Sequence, residues 1–190
     1  VAIIQARMSS SRLPGKVLAP LGGSSVLAHV VDAARAAHRV QRVVVATSTE
    51  SSDDAVCEAS ERLGVPVVRG PLLDVLARFK LVSDIYPADC YVRLTADCPL
   101  VDPVMIDQCV GILITDKRVD LASNALIRTY PRGIDVEVIR YSALHSAHEA
   151  AHDHHRSHVT TWITDNPTRY NVVGVVSGLN DSDLRVTVDT

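Results

Sequence analysis

Three cations stand close together after the first apolar run of the chain. The stretch IIQARMSSSRLPGK, residues 3–16, carries Arg7, Arg12 and Lys16 among serines and a glycine. Guanidinium and ammonium groups bind phosphate oxygens, and the backbone N–H groups of such a loop can turn toward an anion. The spacing therefore predicts a loop that binds a polyphosphate, with a solvated basic loop as the alternative.

This loop differs from two common phosphate-binding motifs. The first glycine of the P-loop pattern GxxxxGK[ST] is missing, and Val17 follows Lys16 where a P-loop has Ser or Thr for magnesium. The loop does not contain the dinucleotide fingerprint GxGxxG either. The sequence therefore favours a triphosphate site of a different kind.

Two aspartates stand at the ends of apolar, β-rich runs later in the chain. Asp97 lies in YVRLTADCPLVDP, and Asp189 lies in VTVDT. Carboxylates at strand ends suit Mg²⁺, a hard cation that takes a few oxygen ligands and keeps some of its waters. We expect both aspartates to bind this metal, whereas Asp102 precedes Pro103 and is expected to cap the next helix.

Two other motifs contain residue types that bind metals. HEAAH, residues 148–152, fits the zinc-protease pattern HExxH, but nothing ties it to a third ligand or a supporting fold. The triplet Asp181-Ser182-Asp183 has the DxD form of glycosyltransferases, but it precedes the last predicted strand instead of following a mid-chain strand. We expect a helix face with adventitious metal affinity in the first case and a solvated loop in the second.

An alternation of short apolar runs and amphipathic runs must position these residues in the first half. Strands are predicted at residues 1–5, 42–46, 66–69 and 90–94, and helices at residues 24–37, 53–63, 73–83 and 103–115. The strands are apolar on both faces, which is typical of a parallel sheet covered by helices. In such a sheet, ligands bind at the carboxyl ends of the strands, where the cationic loop follows the first strand.

The pattern changes after about residue 118. Strands are predicted at residues 119–123, 134–140, 171–176 and 184–188, and helices at residues 141–153 and 157–164. No Pro- or Ser-rich linker separates the two halves. We therefore expect one domain over residues 1–190, in which residues 119–190 form an α+β extension of the same sheet.

Composition indicates a globular protein of the cytoplasm. The chain has 190 residues, a net charge of −3 and 47% apolar residues, so a bulk affinity for nucleic acid or anionic membranes is not expected. No apolar run approaches the length of a transmembrane helix. The four cysteines show neither CxxC nor a disulfide-like framework, as is typical of free thiols in a reducing compartment.

The run Ala6-Arg7 followed by Arg12-Leu13-Pro14-Gly15-Lys16 resembles a family signature. It is similar to that of cytidylyltransferases that make CMP-sugars, such as CMP-3-deoxy-manno-octulosonate synthetase. The likeness is closer to the branch of spore coat polysaccharide biosynthesis protein F, and it covers almost the whole chain. It implies a three-layer α/β/α nucleotidyltransferase fold, related to the GT-A glycosyltransferase core, with a mostly parallel central sheet.

The resemblance also implies a reaction and its cofactor. CMP would pass from CTP to a sugar-type acceptor with release of pyrophosphate, in the synthesis of a surface polysaccharide or glycoconjugate. Arg12, Lys16 and Asp97 would be catalytic, while Asp97 and Asp189 would bind Mg²⁺, for which Mn²⁺ could substitute. Residues 1–118 would be the nucleotide-binding half, and residues 119–190 the acceptor-side half.

Nucleotide contacts are carried over residue by residue. The nucleotide-binding residues implied are Ala6, Arg7, Ser10, Arg12, Lys16, Asp74, Arg78 and Thr95. Asp74 and Arg78 belong to RGPLLDVLARF, where a helix cap and an i,i+4 ion pair are the alternative. The Thr-rich turn at residues 47–49 also resembles the family, but with Asp53 and Asp54 it is explained by a helix N-cap alone.

Acceptor contacts are implied by two segments of the second half. YPRGIDVEV and HRSHVTTWI resemble the acceptor-side segments of the family. The acceptor-binding residues implied are Arg132, Asp135, Arg156 and His158. An arginine fork suits a carboxylate, so an acid sugar is the favoured acceptor, and Gly133 would allow a close backbone approach. Asp135 is equally explained as the outward residue of an alternating strand.

The resemblance leaves three other functions open. A GT-A glycosyltransferase would use a nucleotide-sugar, but a loop built for a triphosphate is wasted on a nucleoside diphosphate. A phosphonate cytidylyltransferase and a non-catalytic nucleotide-binding domain are the other two.

The resemblance also bears on assembly and on the end of the chain. Resembling proteins pair as dimers, so a homodimer is expected. They also follow Asp189 with a Pro-Glu-Asp helix, so a C-terminal truncation at Thr190 is expected.

Overall fold

The apolar runs of the sequence form a central sheet in the computed structural model, which describes residues 1–189. The strands are β1 (Ala2–Gln5), β2 (Pro20–Leu21), β3 (Ser24–Ser25), β4 (Val43–Ser48), β5 (Val67–Gly70), β6 (Cys90–Thr95), β7 (Leu121–Ser123), β8 (Glu137–Arg140) and β9 (Val172–Gly174). The helices are α1 (Val26–Ala36), α2 (Asp54–Arg62), α3 (Val75–Ile85), α4 (Pro103–Thr115), α5 (Tyr141–Ala150), α6 (His155–His158) and α7 (Thr161–Asp165).

Among the described residues, seven strands form one sheet in the order β5-β4-β1-β6-β8-β7-β9. β1 pairs in parallel with β4 and β6, and β4 pairs in parallel with β5. β8 runs antiparallel to its neighbours β6 and β7, while β9 is parallel to β7. The chain first builds outward from β1 to β4 and β5 and then returns to place β6 on the other side. Ligands of open α/β sheets bind at such a reversal of strand order.

Helices cover both faces of this sheet. Ile4 of β1 packs in one apolar cluster with Leu27 of α1 and Ile106 of α4. The next residue back, Ile3, points to the opposite face and packs in a second cluster that includes Phe79 of α3. Side chains of a strand alternate between faces, so two apolar residues in succession supply both cores. The predicted three-layer α/β/α arrangement with a mostly parallel sheet is confirmed.

Helix caps follow the sequence signals at two sites. The Ser25 side chain accepts a hydrogen bond from Ala28 N at 3.2 Å, at the start of α1. Asp102 accepts from Val104 N at 2.8 Å, so its predicted N-cap role at α4 is confirmed. None of the helices among residues 1–189 is long and apolar enough to cross a membrane.

The single helix predicted at residues 157–164 is wrong. The chain breaks it at Val159, whose φ is 54° and ψ −60°, between α6 and α7. Thr160 N donates to His158 O at 2.6 Å across this residue, which makes a γ-turn of the rare, strained form. A β-branched side chain disfavours this backbone, so surrounding contacts must hold the turn.

The strand predicted at residues 184–188 is also wrong. This segment makes only an isolated bridge, in which Arg132 N donates to Leu184 O and Val186 N donates to Arg132 O. Farther along, Val188 N donates to Asp97 O at 2.9 Å. The segment crosses from one element to another, so it cannot continue a ladder with either.

Asp53 anchors the loop that follows β1. Its carboxylate is completely buried and accepts from Met8 N at 2.7 Å, Ser48 N at 3.0 Å and the Ser48 hydroxyl. Asp53 precedes α2 as expected of an N-cap, but its side chain makes no capping bond. Burial opposes ionisation, yet these donors outweigh it and lower the pKa of Asp53. The cationic loop is thereby fixed to the end of β4.

Asp53→Asn is expected to lower the free energy of unfolding by about 2–3 kcal/mol, because the amide presents N–H groups to buried donors. Urea unfolding measures this loss. Asp54→Asn is the matched control, since Asp54 makes an exposed ion pair with Arg69. Such a pair contributes less than about 1 kcal/mol.

The lowered pKa of Asp53 adds a pH signature. Its stabilisation is complete above the pKa of an unfolded aspartate, about 4, and is lost as the pH falls through the lower native value. The stability difference between wild type and Asp53→Asn is therefore expected to shrink below about pH 4. An unchanged difference in acid would contradict this role of Asp53.

Candidate active site

A cleft of about 420 Å³ opens at the carboxyl ends of β1 and β6, where the strand order reverses. Seven of the eight predicted nucleotide-binding residues line it, namely Ala6, Arg7, Ser10, Arg12, Lys16, Arg78 and Thr95. Asp97 also lines it, beside Thr95 at the end of β6. The tertiary structure thus brings the loop after β1 and the predicted metal aspartate into one cavity.

Lys16 crosses from the loop to the end of β6. Its Nζ lies 2.5 Å from Asp97 Oδ2, and only 9% of its side chain is exposed. Gly15, with φ 75°, turns the chain into the short 3₁₀ helix that begins at Lys16. Burial would raise the pKa of Asp97, but the Lys16 ammonium and the neighbouring Thr95 lower it by more. The Asp97 carboxylate is therefore charged at neutral pH.

Asp189 is held by more cations than any sequence pattern indicated. Arg185 donates two hydrogen bonds to it, Thr187 Oγ1 donates one at 3.0 Å, and Arg12 lies 2.7 Å from its Oδ2. The Arg185 guanidinium is the main reason that the pKa of Asp189 falls to about 2. Arg12 is more than half exposed, so its contact with Asp189 leaves part of the guanidinium open to the cleft.

Gly133 allows the segment that carries Asp189 to reach Asp97. Its φ is 108°, and a Cβ added there would lie 2.7 Å from Thr187 N and 2.8 Å from the carbonyl carbon of Val186. The sequence predicts that Gly133 lets the backbone approach the acceptor, which stays a prediction, whereas in the structure the close neighbours of Gly133 are Val186 and Thr187. With the bond from Val188 N to Asp97 O, this contact brings the two aspartates to the same end of the sheet.

Arg78 provides a buried cation in the wall of the cleft. It is 2% exposed, and its Nη1 donates to Ala46 O at 3.3 Å. Burial, reinforced by the charge of Arg7, lowers the pKa of Arg78 to about 10, so it stays charged at neutral pH. A Cβ at Gly70 would lie 2.8 Å from Arg78 Cγ, so the glycine makes room for this side chain.

Asp74 and Arg156, predicted to bind the nucleotide and the acceptor respectively, instead bind each other. Arg156 Nε lies 2.5 Å from Asp74 Oδ2, and Arg156 Nη1 donates to the carbonyls of His148 and Ala151. Asp74 also caps α3, because it accepts from Ala77 N at 2.8 Å. This pair ties α6 to the start of α3, and the structure does not bring either residue to the wall of the cleft.

Of the other three predicted acceptor-binding residues, one lines the cleft and two do not. His158 lines the cleft together with Ser157, which the sequence analysis did not select. Asp135 forms a bidentate pair with Arg128, at 2.9 and 3.1 Å, and Arg132 is exposed. Neither Asp135 nor Arg132 is among the residues that line this cleft.

One polar network in the cleft wall was missed from sequence. Arg93 of β6 donates to Gln5 Oε1 at 3.0 Å and pairs with Glu137 of β8. Thr160, just after the γ-turn, donates to Glu137 Oε1 at 2.6 Å. The signal that could have found this network is Arg93, a charged residue in the interior of the mostly apolar strand β6.

The HEAAH motif and the triplet Asp181-Ser182-Asp183 are not among the residues that line the cleft. Helix α5 ends at Ala150, so His152 of the HEAAH motif lies beyond it and the two histidines share no helix face. Asp181 to Asp183 lie in a turn before the bridge to Arg132. Among the described residues, the one group of three side chains spaced for a metal ion is His154, His155 and Asp165.

Comparison with known proteins identifies the family. A sequence model of the cytidylyltransferases matches residues 1–187. The chain belongs to the cytidylyltransferase family. It is 34% identical over 197 residues to spore coat polysaccharide biosynthesis protein SpsF of Bacillus subtilis, an alignment that covers 99% of this chain and 80% of that protein.

Solved structures show the same fold for this cytidylyltransferase. A cytidylyltransferase from Leptospira borgpetersenii serovar Hardjo-bovis superposes with a TM-score of 0.95 at 32% identity, covering 100% of this chain and 80% of that chain. CMP:2-keto-3-deoxy-manno-octonic acid synthetase, complexed with CTP, superposes with a TM-score of 0.75 at 19% identity, covering 100% of this chain and 92% of that chain. The nucleotidyltransferase fold predicted from the sequence is therefore confirmed.

Gly133→Ala is expected to reduce nucleotidyltransferase activity by about tenfold or more, because its Cβ would push the backbone of Val186 and Thr187 away. Displacement of this segment moves Asp189 from Asp97. Gly178→Ala is the matched control, since a Cβ at Gly178 meets nothing within 4 Å.

Steady-state release of pyrophosphate measures the activity, and circular dichroism checks that the fold is kept. Strain at Gly133 is also expected to cost about 1–3 kcal/mol of stability, which leaves a folded protein to assay. Full activity in Gly133→Ala would show that the crossing of residues 186–187 does not position the site.

Proposed function

We propose that this cytidylyltransferase transfers CMP from CTP to a hydroxyl of an acid sugar, with Mg²⁺, and releases pyrophosphate. One observation carries the proposal. Two cations of the loop after β1 contact two aspartates from distant parts of the chain, through the pairs Lys16–Asp97 and Arg12–Asp189. The loop cations and Asp97 thus line one cleft, and Arg12 connects that cleft to Asp189, which is buried and is not among its lining residues.

The cations of the cleft suit a triphosphate. Arg7, Arg12, Lys16 and Arg78 line it together with Ser10. Arginine forks bind phosphate oxygens in pairs, and lysine acts as a compact charge. Transfer of a nucleotidyl group depends mainly on positioning and charge neutralisation. These residues would hold the β- and γ-phosphates and stabilise the pyrophosphate that leaves.

The aspartate pair fits Mg²⁺. Both carboxylates have lowered pKa values and offer hard oxygen donors, and the Val188–Asp97 backbone bond joins the segments that carry them. Asp97 and Asp189 would hold Mg²⁺, which would supply positive charge to offset that of the phosphates. Lys16 and Arg12 would then exchange their aspartate partners for phosphate oxygens. Metal and nucleotide are therefore expected to promote each other's binding, an effect that is reciprocal by thermodynamic linkage.

The reaction needs no nucleophile from the protein. A hydroxyl of the acceptor would form a bond to the α-phosphorus, and the bond from that phosphorus to the bridging oxygen of pyrophosphate would break. Cys98, the thiol next to Asp97, is buried, and burial raises its pKa to about 12. The Cys98 thiolate is therefore negligible at neutral pH, which argues against a covalent intermediate on this residue.

Residues of the second half supply the acceptor side in this proposal. Ser157 and His158 line the cleft across from the phosphate loop residues, and the Arg93–Glu137–Thr160 network supports the same wall. Residues 1–118 then bind most of the nucleotide and residues 119–190 bind the acceptor, with Asp189 as the exception. Arg132 is exposed, and its guanidinium would bind a carboxylate of the acceptor in this proposal.

The reaction is tested by pyrophosphate release with each of the four nucleoside triphosphates and a panel of acid and neutral sugars. CTP with an acid sugar and Mg²⁺ is expected to be fastest, and a chelator is expected to abolish release until Mg²⁺ or Mn²⁺ is added back. Asp97→Asn is expected to lose activity. Asp102→Asn is the matched control and is expected to keep activity, since Asp102 only caps α4. Sugar transfer from a nucleotide-sugar without pyrophosphate would indicate a glycosyltransferase instead.

Arg12→Ala is expected to weaken CTP binding about tenfold to a hundredfold, the usual loss for a charge-assisted hydrogen bond. Arg185→Ala is the matched control, because Arg185 contacts the same aspartate but does not line the cleft. Calorimetry with CTP in the presence of a chelator separates nucleotide binding from metal binding. Equal losses in both variants would mean that Arg12 acts only through Asp189.

A further inference from the structure

Three side chains converge away from the aspartate pair. One potential ligand atom from each of His154, His155 and Asp165 lies within 4.8 Å of the other two. His155 Nε2 is 3.1 Å from Asp165 Oδ2. In a tetrahedral site with bonds of about 2.0–2.1 Å, neighbouring ligand atoms lie about 3.3 Å apart. The spacing of His155 and Asp165 fits one edge of such a site.

The other ring nitrogen of His155 is held as in many metal sites. His155 Nδ1 lies 3.2 Å from the carbonyl oxygen of His152. A carbonyl only accepts hydrogen bonds, so Nδ1 carries the hydrogen when this bond is made. That tautomer leaves the lone pair of Nε2 facing the Asp165 carboxylate, where an ion could bind between the two. Metal-binding histidines are commonly oriented through their second nitrogen in this way.

Aromatic rings shelter one side of the cluster. His155 is 8% exposed, and its ring meets that of Trp162 edge-on with centroids 5.2 Å apart. The His154 ring lies 3.9 Å from the His155 ring and is open to solvent, as is 58% of the Asp165 side chain. A buried imidazole is thus combined with two accessible ligands, through which an ion can enter.

We propose that His154, His155 and Asp165 bind a transition-metal ion of the Zn²⁺ class, with a fourth position open to water. Two imidazoles and one carboxylate suit Zn²⁺, whereas Mg²⁺ prefers oxygen ligands alone. The site is separate from the Asp97–Asp189 pair and does not use His148 of the HEAAH motif.

This site would fix one wall of the cleft. His155 belongs to α6 and Asp165 to α7, so the metal would join the two helices across the strained turn at Val159. Ser157 and His158, two and three residues after His155 in the chain, line the cleft. A bound ion would hold these residues in place without taking part in the reaction.

The chain has a single tryptophan, which makes a local probe available. Titration of the full chain with Zn²⁺ or Ni²⁺, in excess Mg²⁺, is expected to change the fluorescence of Trp162 until one equivalent is bound. Because a ligand that binds only the native state stabilises it, Zn²⁺ at about one hundred times its Kd is expected to raise Tm by about 5–10 °C.

The exposed ligands allow substitutions that keep the fold. His154→Ala and Asp165→Asn are each expected to weaken Zn²⁺ binding about tenfold or more and, at the same Zn²⁺ concentration, to reduce the Tm shift by about half or more. His148→Ala is the matched control and is expected to bind Zn²⁺ like wild type. The proposal is overturned if wild type shows no saturable fluorescence change or if both ligand variants bind normally. Loss of binding in His148→Ala with normal binding in the other two would place the ion at the HEAAH motif instead.

Discussion

The neutralisation of two carboxylates that are largely withdrawn from water, those of Asp97 and Asp189, is the constraint on which the site of this cytidylyltransferase depends. Backbone contacts bring both to one end of the sheet, and a carboxylate taken out of water is stable only when cations or hydrogen bonds offset its charge. Lys16, Arg12 and Arg185 compensate these charges, and they lower the pKa values of both aspartates. The same arrangement would suit a magnesium–triphosphate complex, because the carboxylates could hold the metal while the cations bind the phosphates.

Asp53 and Gly133 hold these charged residues in position from outside the cleft. Asp53 accepts hydrogen bonds from Met8 and Ser48, which fixes the cationic loop to β4, the strand beside β1. Gly133 lets the segment of residues 186–187 cross its backbone at a distance that any side chain would prevent. A displacement of about 1 Å at either point would separate groups that must act together, and rate falls steeply with such misplacement. The glycine and the buried aspartate are thus part of the site without contacting a substrate.

The two groups of candidate metal ligands differ in their chemistry. Asp97 and Asp189 offer oxygen atoms next to cations and a phosphate loop, an environment for a hard ion that arrives with a nucleotide. His154, His155 and Asp165 offer imidazole nitrogens beside Trp162, an environment for a borderline-soft ion that stays with the protein. His155 of the second set lies on α6, the helix that carries Ser157 and His158 into the cleft, and His154 directly precedes it. One wall of the cleft is therefore positioned by a strained turn, which additional contacts have to stabilise.

The sequence by itself determined the features that depend on local pattern. Strands apolar on both faces, helix caps such as Asp102, and the cation-rich loop were predicted because each is encoded within a few neighbouring residues. The resemblance that begins with the signature at residues 6–16 added the fold, which is confirmed, and the prediction that Asp97 and Asp189 bind the same metal ion. Only the tertiary structure decided which charges meet. Asp74 and Arg156 pair across 82 positions of sequence, and Arg93 and Glu137 pair across 44, so no local spacing encodes either contact. The strand predicted at residues 184–188 failed for the same reason, since two distant elements compete for its backbone hydrogen bonds.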